Sequence, residues 1–336
     1  MTPAVEMLAD QRPELELSLL TEDDGYMLFS ESKQFNNVWH LQRNRWHSIS
    51  QVEFTNELHS LVRNIHAEEY EWVVNLHHSL RSALLMQLLS PTKTIGLTAR
   101  ADGSFRERTI DEQRLLDSFS TYCPPETRVQ TLSDVVVHGK NRSQLYKDLF
   151  LPLGIDPDKH YDYRVDINSD DDLLKRFGID EPFIVLATGN SWQSGRWPVG
   201  YWIKLIEGLE DRKVLLLGNK NDVQRNRYIE KQAKDADIIN LTGKTNVKEF
   251  AQLISLADIL IGNDSSAAHL AAAFAVPSHI LFGSSPPELC APLGGAVKIH
   301  YNKNICPIGP CGSMTCDLDE LHCMQAHAPR VILDSL

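Results

Sequence analysis

The stretch Ile261-Gly262-Asn263-Asp264-Ser265-Ser266-Ala267-Ala268-His269-Leu270 places several groups able to hold a polar ligand within a few residues. The apolar run from Ala257 to Ile261 reads as a buried parallel strand. It breaks at Gly262 into a polar turn, and a helix of small residues follows. A strand, a turn and a helix N-terminus make an anion site, because the first helical N–H groups have no partner inside the helix. Asn263 lies in that turn, and Ser265 and Ser266 add hydroxyl donors. Asp264 has two readings, a helix cap or an acceptor from a sugar hydroxyl. His269 sits about one turn along, on a face that can still reach the site.

Two further strand ends carry similar chemistry. Thr188 to Pro198 follows one strand and precedes a helix that opens with Pro at its first turn, and its glycine and hydroxyl content suits close approach to a phosphate or sugar. Asn190, Ser191 and Arg196 are its polar candidates, and the alternative is a plain turn with Trp197 packed in the core. At the next strand end, Leu217-Gly218-Asn219-Lys220-Asn221-Asp222 leads into a helix for which Asp222 is a natural cap. Gly243-Lys244-Thr245 imitates the tail of a P-loop. The full motif needs glycine where Ile238 stands, so ATP hydrolysis is rejected.

Alternating short apolar runs and longer helical stretches must position these residues. Expected strands are Leu15–Leu20, Asn37–Leu41, Glu71–Leu76, Lys93–Leu97, Phe183–Ala187, Lys213–Leu217, Ile238–Leu241, Asp258–Gly262 and His279–Phe282. Expected helices are Thr2–Gln11, Val52–Ala67, Ser79–Leu89, Asp111–Tyr122, Lys140–Leu151, Pro198–Leu209, Asp222–Asp235, Val247–Ala257 and Ser266–Ala275. The acidic, turn-rich span from Leu153 to Pro182 reads as a connection with one short helix. The 336 residues thus form an α/β protein with two lobes, residues 1–158 and residues 159–336.

Net charge is −12 with no basic tract, which argues against nucleic acid as the main partner. No apolar run approaches the roughly 20 residues that span a bilayer, and Met1 to Asp10 lacks a secretory signal, so the expected location is cytoplasmic. There, six cysteines favour thiols or a metal site over disulfides. Cys306, Cys311, Cys316 and Cys323 form a tail whose thiolates could bind zinc or iron. Their spacings are looser than paired C-x2-C, and non-metal thiols are the favoured reading.

The stretch Gly262 to Pro277 resembles the signature of glycosyltransferase family 9, the lipopolysaccharide heptosyltransferases, roughly G-N-D-T-G-x-x-H-L-A-A-A and then a proline. Here Ser265 stands for Thr and Ser266 for the second Gly. The Thr188–Pro198 loop, Asn240-Leu241-Thr242-Gly243-Lys244-Thr245 and the closing Cys323-Met324 with Pro329, Val331 and Ile332 are similar to the same family. So is Asn75-Leu76-His77-His78-Ser79-Leu80-Arg81-Ser82-Ala83 in the first half. The family usually carries Lys at the position of Gly195, to hold a donor diphosphate; Arg196 is the offset substitute here. The family also opens with a strand and a Gly-Asp turn before Thr-Pro-Ala, the Asp being its favoured general base. This chain is picked up at Met1-Thr2-Pro3-Ala4, so that Asp is expected before Met1 and the first lobe to lack a central strand. A late start, a fragment and a degenerate copy all remain open.

The resemblance implies a GT-B fold, two Rossmann-like lobes facing a cleft. It also implies transfer of a heptose or related sugar from an ADP-sugar to a lipopolysaccharide core or similar glycan, inverting and without a required cofactor. Donor-binding candidates are Asn190, Ser191, Arg196, Asp222 (on the ribose hydroxyls), Thr245 (beside the adenine), Asn263, Asp264, Ser265, Ser266 and His269. Acceptor-binding candidates are His77, Arg81 and Arg100. The implied partners are the nucleotide-sugar and a glycolipid acceptor, with peripheral contact at the inner membrane. The rivals are a non-catalytic or degenerate nucleotide-sugar-binding protein and another GT-B enzyme using a UDP-sugar.

Overall fold

Continuous apolar runs such as Phe-Ile-Val-Leu-Ala and Val-Leu-Leu-Leu can be satisfied only by strands covered on both faces. In the computed structural model they are: residues 183–187 are all buried, as are residues 214–217. The structure describes residues 2–77, 80–89, 93–96, 141–159, 165, 167, 170–180, 182–210, 212–294 and 296–336. The chain divides into one compact unit of residues 3–138 and 143–160 and a second of residues 139–142 and 161–336.

The first unit runs α1 (Thr2–Gln11), β1 (Ser18–Glu22), α2 (Asp23–Phe29), β2 (Asn37–Leu41), α3 (Arg43–Trp46), α4 (Gln51–His66), β3 (Trp72–Asn75), α5 (Leu80–Leu89), β4 (Lys93–Gly96) and α6 (Arg142–Leu149). Among the described residues its strands form two parallel pairs, β1 with β2 and β3 with β4. Helix α4 starts at a capping box, in which Ser50 and Glu53 each satisfy the other's backbone N–H. Its buried Phe54, Leu58, Val62 and Ile65 recur at helical spacing and share a core with Leu41 and Leu88. The expected helix Asp111–Tyr122 and Arg100 lie outside the described residues.

The second unit continues with α7 (Leu173–Phe177), β5 (Phe183–Ala187), α8 (Val199–Glu207), β6 (Lys213–Leu217), α9 (Val223–Gln232), β7 (Ile238–Asn240), α10 (Val247–Ser255), β8 (Ile259–Asn263) and α11 (Ser266–Ala273). It ends with β9 (Ser278–Leu281), α12 (Pro287–Cys290), β10 (Val297–His300), α13 (His322–Gln325) and α14 (Pro329–Leu333). Its six strands are parallel in the order β10-β9-β8-β5-β6-β7. Side chains alternate between the two faces of a strand. Val185, Leu215, Leu260 and Ile280 therefore pack toward α10 and α11, while Ile184, Leu186, Leu216, Ile261 and Leu281 pack toward α8, α9 and the C-terminal helices.

Several local details differ from the sequence reading. The strand does not break at Gly262: β8 continues to Asn263, because Gly262 pairs with Ala187 on one side and Ile280 on the other. Pro198 is the cap residue before α8 rather than its first turn. The edge strand β10 has no counterpart among the expected strands.

Candidate functional site

In an open parallel sheet the strand order reverses at one place, and loops leaving neighbouring strands there part in opposite directions. Here the reversal lies between β5 and β8: the chain moves from β5 outward to β6 and β7, then returns to β8, β9 and β10. The two loops leaving that point are Thr188–Pro198 and Asn263–Ser266, both singled out from sequence.

Asn263 joins them. It is fully buried, its Nδ2 donates to the Thr188 carbonyl at 2.7 Å, and its Oδ1 accepts from the Trp197 N–H at 3.2 Å. Asn190 reaches back the other way, donating from Nδ2 to the Asp264 carbonyl at 2.8 Å and accepting the Trp192 N–H at 2.8 Å. Arg196 is half-buried and donates from Nε to the Asn190 carbonyl at 2.8 Å. Trp197 is buried edge-on against Trp202, at a centroid distance of 4.8 Å. Ser191 is exposed on the same loop. Position 195 has no room for a side chain in this arrangement: a Cβ there would lie 2.5 Å from Asn190 Nδ2.

Asp264 does not cap α11. Its Oδ2 accepts from Ser285 Oγ at 3.0 Å, with the Cys290 thiol at 3.7 Å. Ser265 is the cap residue, with extended backbone and no side-chain cap bond. The helix dipole and first-turn amides of α11 therefore meet no capping oxygen from Ser265. Ala267, Ala268, Ala271 and Ala272 bury one face of α11, which leaves Ser266 exposed and His269 half-buried on the other.

The next strand ends add a polar cluster. Asp222 is buried, its Oδ1 pairs with Arg225 Nη2, and its Oδ2 accepts the Asn219 N–H at 3.1 Å. Buried Asn226 accepts from Thr188 Oγ1 and donates to Thr242 Oγ1 at 2.8 Å, tying α9 to the ends of β5 and β7. Thr245 is half-buried in the loop after β7, and that loop is held to the β6 end by the Gly243 N–H on the Gly218 carbonyl at 2.9 Å.

Behind the β5 loop, Ser194 Oγ bonds Ser284 Oγ at 2.8 Å and the Ser313 carbonyl, so the cysteine-rich tail leans on the same loop. Cys306, Cys316 and Cys323 are half-buried free thiols and Cys311 is exposed. Burial, then the charges of Cys306 and Cys316, raises the Cys323 thiol pKa. Among the described residues, no group of three or more His, Cys, Asp and Glu side chains is arranged to hold a metal ion.

In the first unit, His77 is exposed just beyond β3. Its N–H donates to Asn75 Oδ1 at 3.1 Å, and its carbonyl accepts from Ser82 Oγ at 2.8 Å. Arg81 belongs to the first turn of α5. No described helix is long and apolar enough to cross a membrane.

Sequence reasoning did not single out Ser285, Arg225, Asn226 or Ser194. Arg225 and Asn226 carried a weak signal, polar residues just after a cap on a helix that packs on a buried sheet. Ser194 and Ser285 carried none beyond lying in polar loops.

A family model for glycosyltransferase family 9 (heptosyltransferase) matches residues 126–322, more than half of the chain. The chain is 24% identical over 293 residues to lipopolysaccharide heptosyltransferase 3 of Escherichia coli K12, spanning 84% of this chain and 78% of that protein. Among solved structures, a family 9 glycosyl transferase from Veillonella parvula superposes with a TM-score of 0.75 at 16% identity, covering 99% of this chain and 90% of its own. The E. coli ADP-heptose lps heptosyltransferase II gives 0.71 at 18% identity, covering 99% and 91%. These neighbours have the expected fold, α/β of the GT-B type. With the family model spanning most of the second unit and its strand-end loops, the chain belongs to glycosyltransferase family 9, the heptosyltransferases.

Proposed function

We propose that this chain transfers a heptose from an ADP-sugar to a lipopolysaccharide core or a similar glycan acceptor. The observation that carries this is the strand-order reversal between β5 and β8, where Asn263 binds the two loops into one frame. On this reading the diphosphate lies against the first turn of α11, near Ser265 and Ser266, where amides and the helix dipole favour negative charge. Asp264, oriented by Ser285, accepts from a sugar hydroxyl. Asp222 and Thr245 line the ribose and adenine side, and His269 completes the sugar end. The acceptor meets the first unit near His77, Arg81 and Arg100. A hydroxyl of the acceptor attacks the anomeric carbon and gives up its proton to a general base, and the bond to ADP breaks with the pair staying on the ADP oxygen. Stabilising that leaving group is electrostatic work, which positioned amides and cations perform without a metal.

One observation favours a second reading, a nucleotide-sugar-binding protein without turnover. Residue 195 is glycine, with Asn190 in the space beside it, so the loop supplies no cation at that position. Calorimetry with ADP-heptose and with UDP-sugars, followed by turnover with a lipopolysaccharide acceptor, separates the readings. The proposal expects ADP-heptose binding, heptose transfer, and loss of binding in the Asp264→Ala, Ser265→Ala double variant. Absence of ADP-sugar binding refutes it, and binding without transfer selects the second reading.

A further inference from the structure

The buried ion pair of Asp222 and Arg225 leaves the cation poorly served. Asp222 divides its two oxygens between Arg225 Nη2 and the Asn219 N–H. An arginine side chain has five N–H donors, and Arg225 Nε is buried without a hydrogen-bond partner among the described residues. Arg225 itself is largely enclosed, with 15% of its side chain exposed. The charged groups acting on it are Asp222 and a second cation, Arg196. Burial lowers the Arg225 pKa most, Asp222 raises it, and Arg196 lowers it again. Removing an arginine from water is costly unless an anion compensates. Here one carboxylate, Asp222, pairs with Arg225, while the second guanidinium, Arg196, is bonded to the Asn190 carbonyl and adds positive charge nearby.

The position of this excess is defined. Arg196 is held by the Asn190 carbonyl on the β5 loop. Arg225 stands beside Asn226, which clamps α9 to Thr188 and Thr242 at the ends of β5 and β7. Asp222 closes the near side, since a Cβ on Gly189 would lie 2.5 Å from its Oδ2. Both cations therefore belong to the strand ends where the donor is proposed to lie, Arg225 on α9 and Arg196 on the β5 loop.

We infer that Arg225, together with Arg196, supplies the cationic contact for the donor's diphosphate in this chain, in place of a side chain at position 195. This deepens the proposed function and rests on its placement of the donor. Asp222 then has two roles, as counter-ion to Arg225 and as acceptor toward the ribose.

The experiment is calorimetry on the full chain with ADP, adenosine and inorganic pyrophosphate, for the wild type, Arg225→Gln, Arg225→Lys and Arg196→Gln. The expected result is that Arg225→Gln weakens ADP and pyrophosphate about tenfold or more, with adenosine weakened far less, because Asp222 keeps its bond from the Asn219 N–H. Arg225→Lys keeps most of the ADP-over-adenosine preference, because the charge is retained. A merely structural ion pair would lower ADP and adenosine affinity together. Should Arg225→Gln fail to fold, Arg196→Gln decides: a lowered ADP-to-adenosine ratio supports the inference and an unchanged one overturns it. A folded Arg225→Gln with the wild-type ratio also overturns it, while leaving the proposed function standing. A wild-type chain that binds no ADP overturns both.

Discussion

Asn263→Leu tests the frame of the site most directly. The side chain has no exposed surface, and its amide joins the β5 loop to the end of β8 through the Thr188 carbonyl and the Trp197 N–H. Leucine has the same branching and the same number of side-chain heavy atoms but bulkier methyl groups, so none of the cost comes from a cavity. The cost comes from two buried backbone groups that lose their partner, at about 1–3 kcal/mol each, or about 2–6 kcal/mol together. That is a large share of the ~5–15 kcal/mol that holds a typical domain folded. Urea unfolding followed by tryptophan fluorescence should show a lower midpoint with an unchanged slope, since the surface exposed on unfolding is the same. ADP affinity should fall with it, because Arg196 and Asp264 lie on the two loops that Asn263 connects. A stability loss under about 1 kcal/mol, less than one unsatisfied group costs, would refute the reasoning. So would a folded variant with wild-type ADP affinity.

Two further outcomes are expected. His279 Nδ1 and His300 Nε2 lie 3.0 Å apart, and His327 Nε2 meets the Phe282 carbonyl at 2.9 Å. Burial, then the charges of His279, His327 and Lys298, pushes His300 down to about 4, and burial lowers His279 and His327 as well. The unfolded chain thus binds more protons below its ordinary histidine value of about 6.5, and stability should fall as pH drops from there toward about 4. The urea midpoint measured at pH 7.5, 6 and 5 checks this, and a His300→Gln variant with the same slope against pH would contradict it. Gly283→Ala should lower the melting temperature, because a Cβ there would lie 2.6 Å from Met324 Sδ and 2.9 Å from the Ser194 carbonyl. Overpacking of this kind costs about 1–3 kcal/mol, and a scanning calorimetry trace identical to wild type would show that α13 yields freely.

Much of the second unit was legible in the chain itself. Phe183–Ala187 and Lys213–Leu217 are strands over the expected residues, because uninterrupted apolar runs leave a parallel, doubly covered strand as the way to bury every side chain. The loops at Thr188 and Asn263 were legible as well, since glycine and hydroxyl residues after such strands have few other uses. β10 escaped, because its half-buried Val-Lys-Ile-His pattern is too short to stand out and its pairing with β9 alone makes it a strand. Gly262 reads locally as a breaker, yet pairing on both sides carries the strand through it.

The partners of the site residues were decided only in three dimensions. Asp264 could cap or could face outward on sequence grounds; Ser285, on the loop after β9, draws its carboxylate away from the cap. Asp222 reads as a cap, and one of its oxygens does take the Asn219 N–H, but a guanidinium one helical turn on takes the other. Sequence determines which groups exist and on which element they stand, through local periodicity and turn chemistry. Which carboxylate meets which donor depends on strand order, and strand order comes from packing between segments far apart in the chain.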